Sequence, residues 1–186
     1  MLCAYTAERD LKQKGLIMNQ VEADIHFMTT AIAEAKAALA EDVFPVGSVI
    51  VRNGKIIAAS RKFHGGMHRF DHAECLAMRR VFTDTDTDGT DLCVYSNLEP
   101  CTMCFGAMLN ARIARVVFAL EDPYDGYAKY FSELHATPRH HGRIPEVIGG
   151  AMREESRLLF KEYFRTTSNK FWSNAHSNPL VMICKG

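Results

Sequence analysis

The stretch from His72-Ala-Glu74 to Pro100-Cys-Thr-Met-Cys104 contains two predicted helix starts with an apolar strand between them. Residues His72–Phe82 and Cys101–Asn110 have the pattern of helices, and Leu92–Ser96 is an apolar run of strand length. Helices that alternate with strands in this way are typical of an α/β fold with a mixed sheet.

The sequence on either side extends this pattern. Val21–Ala40 carries apolar residues at helical spacing and predicts one long helix. The segments Pro45–Arg52 and Lys55–Ser60 predict a hairpin, because the Asn53-Gly54 pair between them favours a type I′ turn. The downstream predictions are a buried strand at Arg115–Leu120, a short helix around Ala128–Leu134, a last strand at Glu146–Ile148 and an amphipathic helix at Met152–Arg165.

Length and charge restrict the classes of protein that this chain can belong to. Its 186 residues suit one domain, and 22 basic residues balance 22 acidic ones, so no global field attracts nucleic acid. The sequence has no apolar run long enough for a membrane helix and no secretory signal at its start. Six cysteines are too few for a disulfide scaffold, and we expect a cytoplasmic protein.

We predict three segments along the chain. Residues 1–18 are polar with weak periodicity and are expected to form a mobile N-terminal arm. Residues 19–166 form the folded domain, and residues 167–186 form a C-terminal tail. Phe171 and Trp172 in that tail either cover the active site or pack against the domain or a partner subunit.

The chemistry is predicted from three metal-binding side chains and one carboxylate. His72, Cys101 and Cys104 offer one imidazole and two thiols, and a catalytic zinc site uses three such ligands and leaves a fourth position for water. Cys101 and Cys104 are three residues apart in the first turn of a helix, so both can face one ion. Glu74 is two residues beyond His72, where its carboxylate can move protons beside a zinc-bound water.

Each half of this pattern is weak alone. A single C-x-x-C pair also occurs in redox proteins and in structural zinc sites, although a structural site usually needs four ligands. The combination of H-x-E with a later P-C-x-x-C is the signature of the zinc nucleobase deaminases.

Over about Val21–Phe164 the sequence resembles the cytidine/deoxycytidylate deaminase superfamily. It is most similar to the branch that holds guanine and cytosine deaminases and the tRNA adenosine deaminases. The segments that carry the likeness are Pro45–Val51, His72-Ala-Glu74, Leu98–Cys104, Gly106–Met108, Ala111–Phe118 and Gly149–Ser156. The resemblance implies a three-layer α/β/α fold with a five-stranded mixed sheet, and usually a homodimer.

The same resemblance assigns roles to individual residues. It implies that His72, Cys101 and Cys104 bind zinc, that Glu74 is the general acid and base, and that the backbone N–H of Ala73 contacts the substrate ring. Further predicted substrate contacts are Asn97, Pro100, His64 and Phe63. For Asn97, His64 and Phe63, an ordinary loop or packing role is the open alternative.

Two departures from the family pattern bear on the substrate. Relatives usually have an asparagine at the end of the second strand, whereas Ala59–Phe63 has none. The tRNA enzymes usually carry an Ala-Gly-Ser-like stretch where this chain reads Asp122-Pro-Tyr-Asp-Gly-Tyr127. With the zero net charge, these departures lead us to expect deamination of a free base or nucleoside. The alternatives are a tRNA adenosine-to-inosine deaminase, with tRNA as the second choice of partner, and a non-catalytic zinc-binding subunit.

Overall fold

A computed structural model of the chain describes residues 19–63, 69–83, 87–127, 130 and 144–185. The strands are β1 Gly47–Arg52, β2 Lys55–Arg61, β3 Leu92–Leu98, β4 Arg115–Leu120 and β5 Glu146–Gly149. The helices are α1 Gln20–Ala40, α2 Ala73–Val81, α3 Thr102–Asn110, α4 Arg153–Thr166, α5 Lys170–Ser173 and α6 Pro179–Lys185. The predicted arm at 1–18 and the predicted helix around 128–134 lie outside the described residues, apart from Tyr130.

The five strands form one mixed sheet in the order β2-β1-β3-β4-β5. β1 is antiparallel to β2 and β3, whereas β3, β4 and β5 are parallel. Asn53 and Gly54 both have positive φ, 50° and 71°, as the predicted type I′ turn requires. The prediction of a mixed five-stranded sheet is therefore confirmed.

Alternation along the strands divides the core between two faces of the sheet. Val49 on β1 and Tyr95 on β3 face α1, where they pack with Phe27. The neighbouring residues Ile50 and Val94 face the other side, where α2 and α3 cover them. Helix α4 packs against α1 and β4. The result is the expected three-layer α/β/α arrangement.

A buried ion pair fixes α1 to the sheet. Asp24 of α1 accepts two hydrogen bonds from the guanidinium of Arg115 on β4, at 2.6 and 2.8 Å, and a third from the Tyr95 hydroxyl at 2.9 Å. Arg115 also donates from Nε to Glu146 on β5 at 3.0 Å. Both charged partners, Asp24 and Arg115, are buried. These contacts join α1, β3, β4 and β5 through one charge network.

The segment after α4 folds back onto the domain. Leu180 and Cys184 of α6 are buried beside Phe160 of α4. Trp172 of α5 stacks on Phe44, with ring centroids 4.6 Å apart and planes inclined by 11°. Among the residues that the structure describes, no helix is both long and apolar enough to cross a membrane.

Candidate active site

His72, Cys101 and Cys104 come together where α2 and α3 begin. His72 is the N-cap of α2 and Cys101 the N-cap of α3, and neither side chain caps its helix. Their side chains instead face one another: His72 Nδ1 lies 3.4 Å from Cys101 Sγ and 3.5 Å from Cys104 Sγ. All three ligand atoms lie within 4.8 Å of one another.

These distances fit a zinc ion. Tetrahedral zinc with ordinary Zn–N and Zn–S bonds separates a nitrogen ligand from a sulfur ligand by about 3.6 Å. The two observed N···S distances, 3.4 and 3.5 Å, are close to that value. One imidazole and two thiols are also donors that zinc prefers. The residues present therefore fit the metal without a backbone rearrangement.

The protonation of the cysteines also favours a metal. Hydrogen bonds from Cys104 and His72 lower the pKa of the Cys101 thiol to about 4, so it is a thiolate at neutral pH. The pKa of the Cys104 thiol is raised, because it hydrogen-bonds the Cys101 sulfur and is buried. A metal ion that binds here displaces the Cys104 proton, and its binding therefore weakens in acid.

Glu74 is the acidic group beside this cluster. It lies in the first turn of α2 and is only 3% exposed. Its Oε2 accepts from Cys104 Sγ at 3.6 Å, and its Oε1 from the Ser96 hydroxyl at 3.3 Å. Burial raises the pKa of Glu74 above its ordinary value. A carboxyl group with a raised pKa can both accept and donate protons near neutral pH.

Above these groups lies a cavity of about 890 Å³, within the range typical of small-molecule sites. Its lining includes the cluster residues His72 and Cys101 together with Ala73 and Glu74. The aromatic and apolar residues around it are Phe44, Val46, Leu98, Phe171 and Trp172. The polar residues are the basic Lys62 and Arg69, the acidic Glu99, Asp122 and Asp125, and the amide Asn169. The site therefore has room for a nucleoside and carries charges of both signs.

The sequence around this cavity matches a known protein family. Residues 21–120 match the family model of the cytidine and deoxycytidylate deaminase zinc-binding region. The chain belongs to this family. Zinc is thereby confirmed as the cofactor of the deaminase, and His72, Cys101 and Cys104 form the group that fits it.

The deaminase is similar to enzymes of known substrate. It is 33% identical over 144 residues to the tRNA-specific adenosine deaminase of Agrobacterium fabrum, which covers 75% of this chain and 93% of that relative. The tRNA-specific adenosine deaminase of Bacillus subtilis is 34% identical over 148 residues, with 77% and 90% covered.

Two solved structures are also similar to the chain. One, from a study of A-to-I editing by tRNA:A34 deaminases at the wobble position, has a TM-score of 0.60 and 32% identity. It covers 72% of this chain and 98% of that chain. The guanine deaminase of Nitrosomonas europaea has a TM-score of 0.63 at 23% identity, covering 75% and 83%, and shares the fold.

These relatives overturn one prediction. The sequence led us to expect a free base or nucleoside as substrate and placed tRNA second, whereas both curated relatives above are named for tRNA adenosine. The expectation of a free small substrate is therefore wrong. It gave weight to the zero net charge, which describes the whole chain and does not report the charges inside one cavity.

The residues predicted to contact the substrate differ in whether they line the cavity of the deaminase. Ala73 lines the cavity, whereas among the described residues Phe63, Asn97 and Pro100 do not. Asn97 is buried, and its carboxamide accepts from the Gly47 N–H at 2.8 Å and donates to the Pro45 carbonyl at 2.9 Å. His64 lies outside the described residues. The substrate roles of these residues stay predictions.

Sequence reasoning missed Lys62 as a cavity residue. It directly follows β2, and its backbone N–H donates to the Val46 carbonyl at 2.9 Å. Burial lowers the pKa of its ammonium group, and the nearby Glu74 carboxylate opposes that shift. The signal in the sequence was the stretch Ala59–Phe63 itself, where the family pattern led us to note a missing asparagine and to overlook the lysine beside Phe63.

Proposed function

We propose that this protein is a tRNA adenosine deaminase that converts adenosine to inosine at the wobble position of the anticodon. The buried Glu74 carboxyl beside His72, Cys101 and Cys104 is the observation that carries the chemistry. The names of its relatives in Agrobacterium fabrum and Bacillus subtilis, and the subject of the related solved structure, support the choice of substrate.

The reaction is hydrolytic: adenosine and water become inosine and ammonia. His72, Cys101 and Cys104 would hold the zinc ion, which when bound would lower the pKa of a water molecule. Glu74 takes one proton from the attacking water and gives it to the ring nitrogen N1. It then takes the second proton from the hydroxyl group now on the target carbon and gives it to the departing amine. Its burial suits this work, because it excludes bulk water and raises the carboxyl pKa above its ordinary value.

The cavity is compatible with a nucleotide of an RNA loop. Enzymes that modify a base extrude the target nucleotide from its stack into a pocket. Lys62 and Arg69 line the cavity and offer positive charge to the phosphates of such a nucleotide. A locally placed charge of this kind does not require a basic protein as a whole.

The direct test compares two variants on an anticodon stem-loop that carries the target adenosine. We expect Glu74→Gln to retain one zinc per chain and to lose about 10²- to 10⁴-fold in inosine formation, the usual contribution of a general acid and base. Glu155→Gln is the matched control, because Glu155 is an exposed residue of α4. Full activity of Glu74→Gln would refute the mechanism.

The substrate is tested separately by competition and salt. The wild-type protein should deaminate the stem-loop and leave free adenosine, guanine and cytosine unchanged. Its affinity for the stem-loop should fall as salt rises, because phosphate contacts release counterions. Turnover of free bases with no inosine in the RNA would refute the tRNA assignment and leave the zinc chemistry intact.

The oligomeric state and the location of the enzyme are also part of the proposal. We infer a homodimer, the state that the family resemblance implies, and a cytoplasmic location, which the small number of cysteines favours. Sedimentation of the zinc-loaded protein should give twice the chain mass of 20.9 kDa, and a monomer at micromolar concentration would contradict this.

A further inference from the structure

Phe171 is an exposed aromatic residue at the wall of the active-site cavity. Its side chain is 63% exposed, and it lines the same cavity as Glu74. Single exposed apolar residues are common on protein surfaces and need no role by themselves. The position of Phe171 in the lining of the cavity that also contains Glu74, and its support by neighbouring residues, distinguish it from such residues.

The support comes from Trp172 and Asn169. The Trp172 ring meets the Phe171 ring edge to face, with centroids 4.9 Å apart, and itself stacks on Phe44 at 4.6 Å. Asn169 caps α5 and accepts a hydrogen bond from the Phe171 N–H at 3.0 Å. Just before it, the Ser168 N–H donates to Asp42 at 3.0 Å. Phe171 is therefore presented by a packed frame on the domain.

A flipped nucleotide creates a need that such a ring can meet. When the target adenosine leaves its stack, the base next to it loses a stacking partner. An aromatic side chain at the mouth of the pocket can replace that partner, and this contact tolerates any base because every base has a π-face. Phe171 keeps most of its surface exposed while its neighbour Trp172 holds it in place.

The charged residues of the same cavity interact with the phosphates of an RNA strand. Lys62 and Arg69 attract phosphates, whereas Asp122 and Asp125 repel them. The cavity thus offers cations for the phosphates of a nucleotide strand and aromatic residues for its bases. This combination of residues favours a nucleic acid over an apolar protein segment as the partner that contacts the Phe171 ring.

We propose that Phe171 stacks on the base of a nucleotide adjacent to the target adenosine and so contributes to recognition of the RNA. The inference rests on the proposed function. It makes Phe171 a substrate-binding residue whose contact is with the substrate strand and not with the reacting base.

The experiment pairs a protein change with an RNA change. Two stem-loops lack the base directly 5′ or directly 3′ of the target adenosine, and a third is intact. With the intact stem-loop, we expect Phe171→Ala to lose about 5- to 150-fold in kcat/KM, the usual effect of removing one base–aromatic stack. With the stem-loop that lacks the stacked base, Phe171→Ala and wild type should be equally active, because the contact is already absent.

Binding is measured independently of turnover. Trp172 is the only tryptophan in the sequence and lies against Phe171, so its fluorescence reports on this wall. In a Glu74→Gln background, the intact stem-loop should change that fluorescence more than the stem-loop without the stacked base. Phe171→Tyr should retain wild-type affinity, and Leu158→Ala, which removes a half-exposed apolar side chain from α4, is the matched control.

Three outcomes would overturn the inference. If Phe171→Ala loses the same factor on all three stem-loops, the ring supports the wall and does not contact a base. If Phe171→Ala alters the sedimentation of the protein and leaves kcat/KM unchanged, the ring belongs to a contact with a second copy. If wild type forms no inosine in the intact stem-loop, the proposed function fails and the inference fails with it.

Discussion

Replacing Asp24 with Asn tests the buried ion pair that joins α1 to the sheet. Asp24 and Arg115 are 6% and 5% exposed, and the carboxylate accepts two hydrogen bonds from the guanidinium and one from Tyr95. The substitution keeps the shape of the side chain and leaves the Arg115 charge buried, with Glu146 as its remaining acidic partner among the described residues. Removing one partner of a buried pair costs about 3 to 5 kcal/mol.

The assay is urea unfolding of the zinc-loaded protein, followed by far-ultraviolet circular dichroism and by Trp172 fluorescence. In a parallel thermal unfolding experiment, a loss of this size should lower the melting temperature by roughly 6 to 20 °C, since each kcal/mol is equivalent to about 2 to 4 °C in a chain of this length. The slope of the unfolding free energy against urea concentration should not change. Glu162→Gln is the control, because its ion pair with Arg165 is exposed and should leave stability unchanged.

The double variant Asp24→Asn/Arg115→Met completes the cycle. It should be more stable than Asp24→Asn alone, because it no longer contains an unpaired buried charge. A loss below about 1 kcal/mol in Asp24→Asn would place the pair among exposed ion pairs and refute the reasoning.

Three further predictions concern the metal, a cavity carboxylate and the approach of α1 to β1. Cys101→Ala should lose the zinc that Cys75→Ala retains, and metal analysis of both purified variants checks this; zinc in both would remove Cys101 from the ligand set. Burial raises the pKa of Asp122, so wild-type stability should fall as pH rises from the ordinary aspartate range through the raised value. Asp122→Asn should remove that part of the dependence of the unfolding free energy on pH, measured by urea unfolding between about pH 3 and 7. An unchanged dependence on pH would contradict the prediction. Gly47→Ala places a Cβ 2.6 Å from the backbone nitrogen of Ala35, and we expect it to cost about 1 to 3 kcal/mol in thermal unfolding; a neutral effect would mean that α1 can move away.

The fold was predictable because its signals are local. The Asn53-Gly54 turn requires positive φ at both residues, and that requirement identifies the β1–β2 hairpin from the sequence alone. Helical spacing placed the long first helix at Val21–Ala40, and the structure has Gln20–Ala40. The zinc group was predictable for a similar reason, because ligand chemistry limits the residue types and their spacing.

The cavity walls were less predictable, because they are assembled from distant segments. Lys62 follows β2 and Trp172 comes from α5, and no sequence period connects them. Asn97 was predicted as a substrate contact because it follows a strand near Pro100. In the structure its carboxamide joins β3 to the chain around Gly47, because the side chain at that position is directed into the domain.

The use of residues from α5 in the cavity wall has a consequence for protein synthesis. The N-terminal part of a chain leaves the ribosome first, so the group that fits zinc, which ends at Cys104, emerges well before Phe171 and Trp172. Asn169 follows Cys104 by about 65 residues, which at ordinary elongation rates is a delay of about 3 to 13 seconds. During that interval the growing chain has His72, Cys101 and Cys104 and lacks the part of the cavity wall that α5 supplies. The wall of the pocket is therefore completed late in translation, after the group that fits zinc.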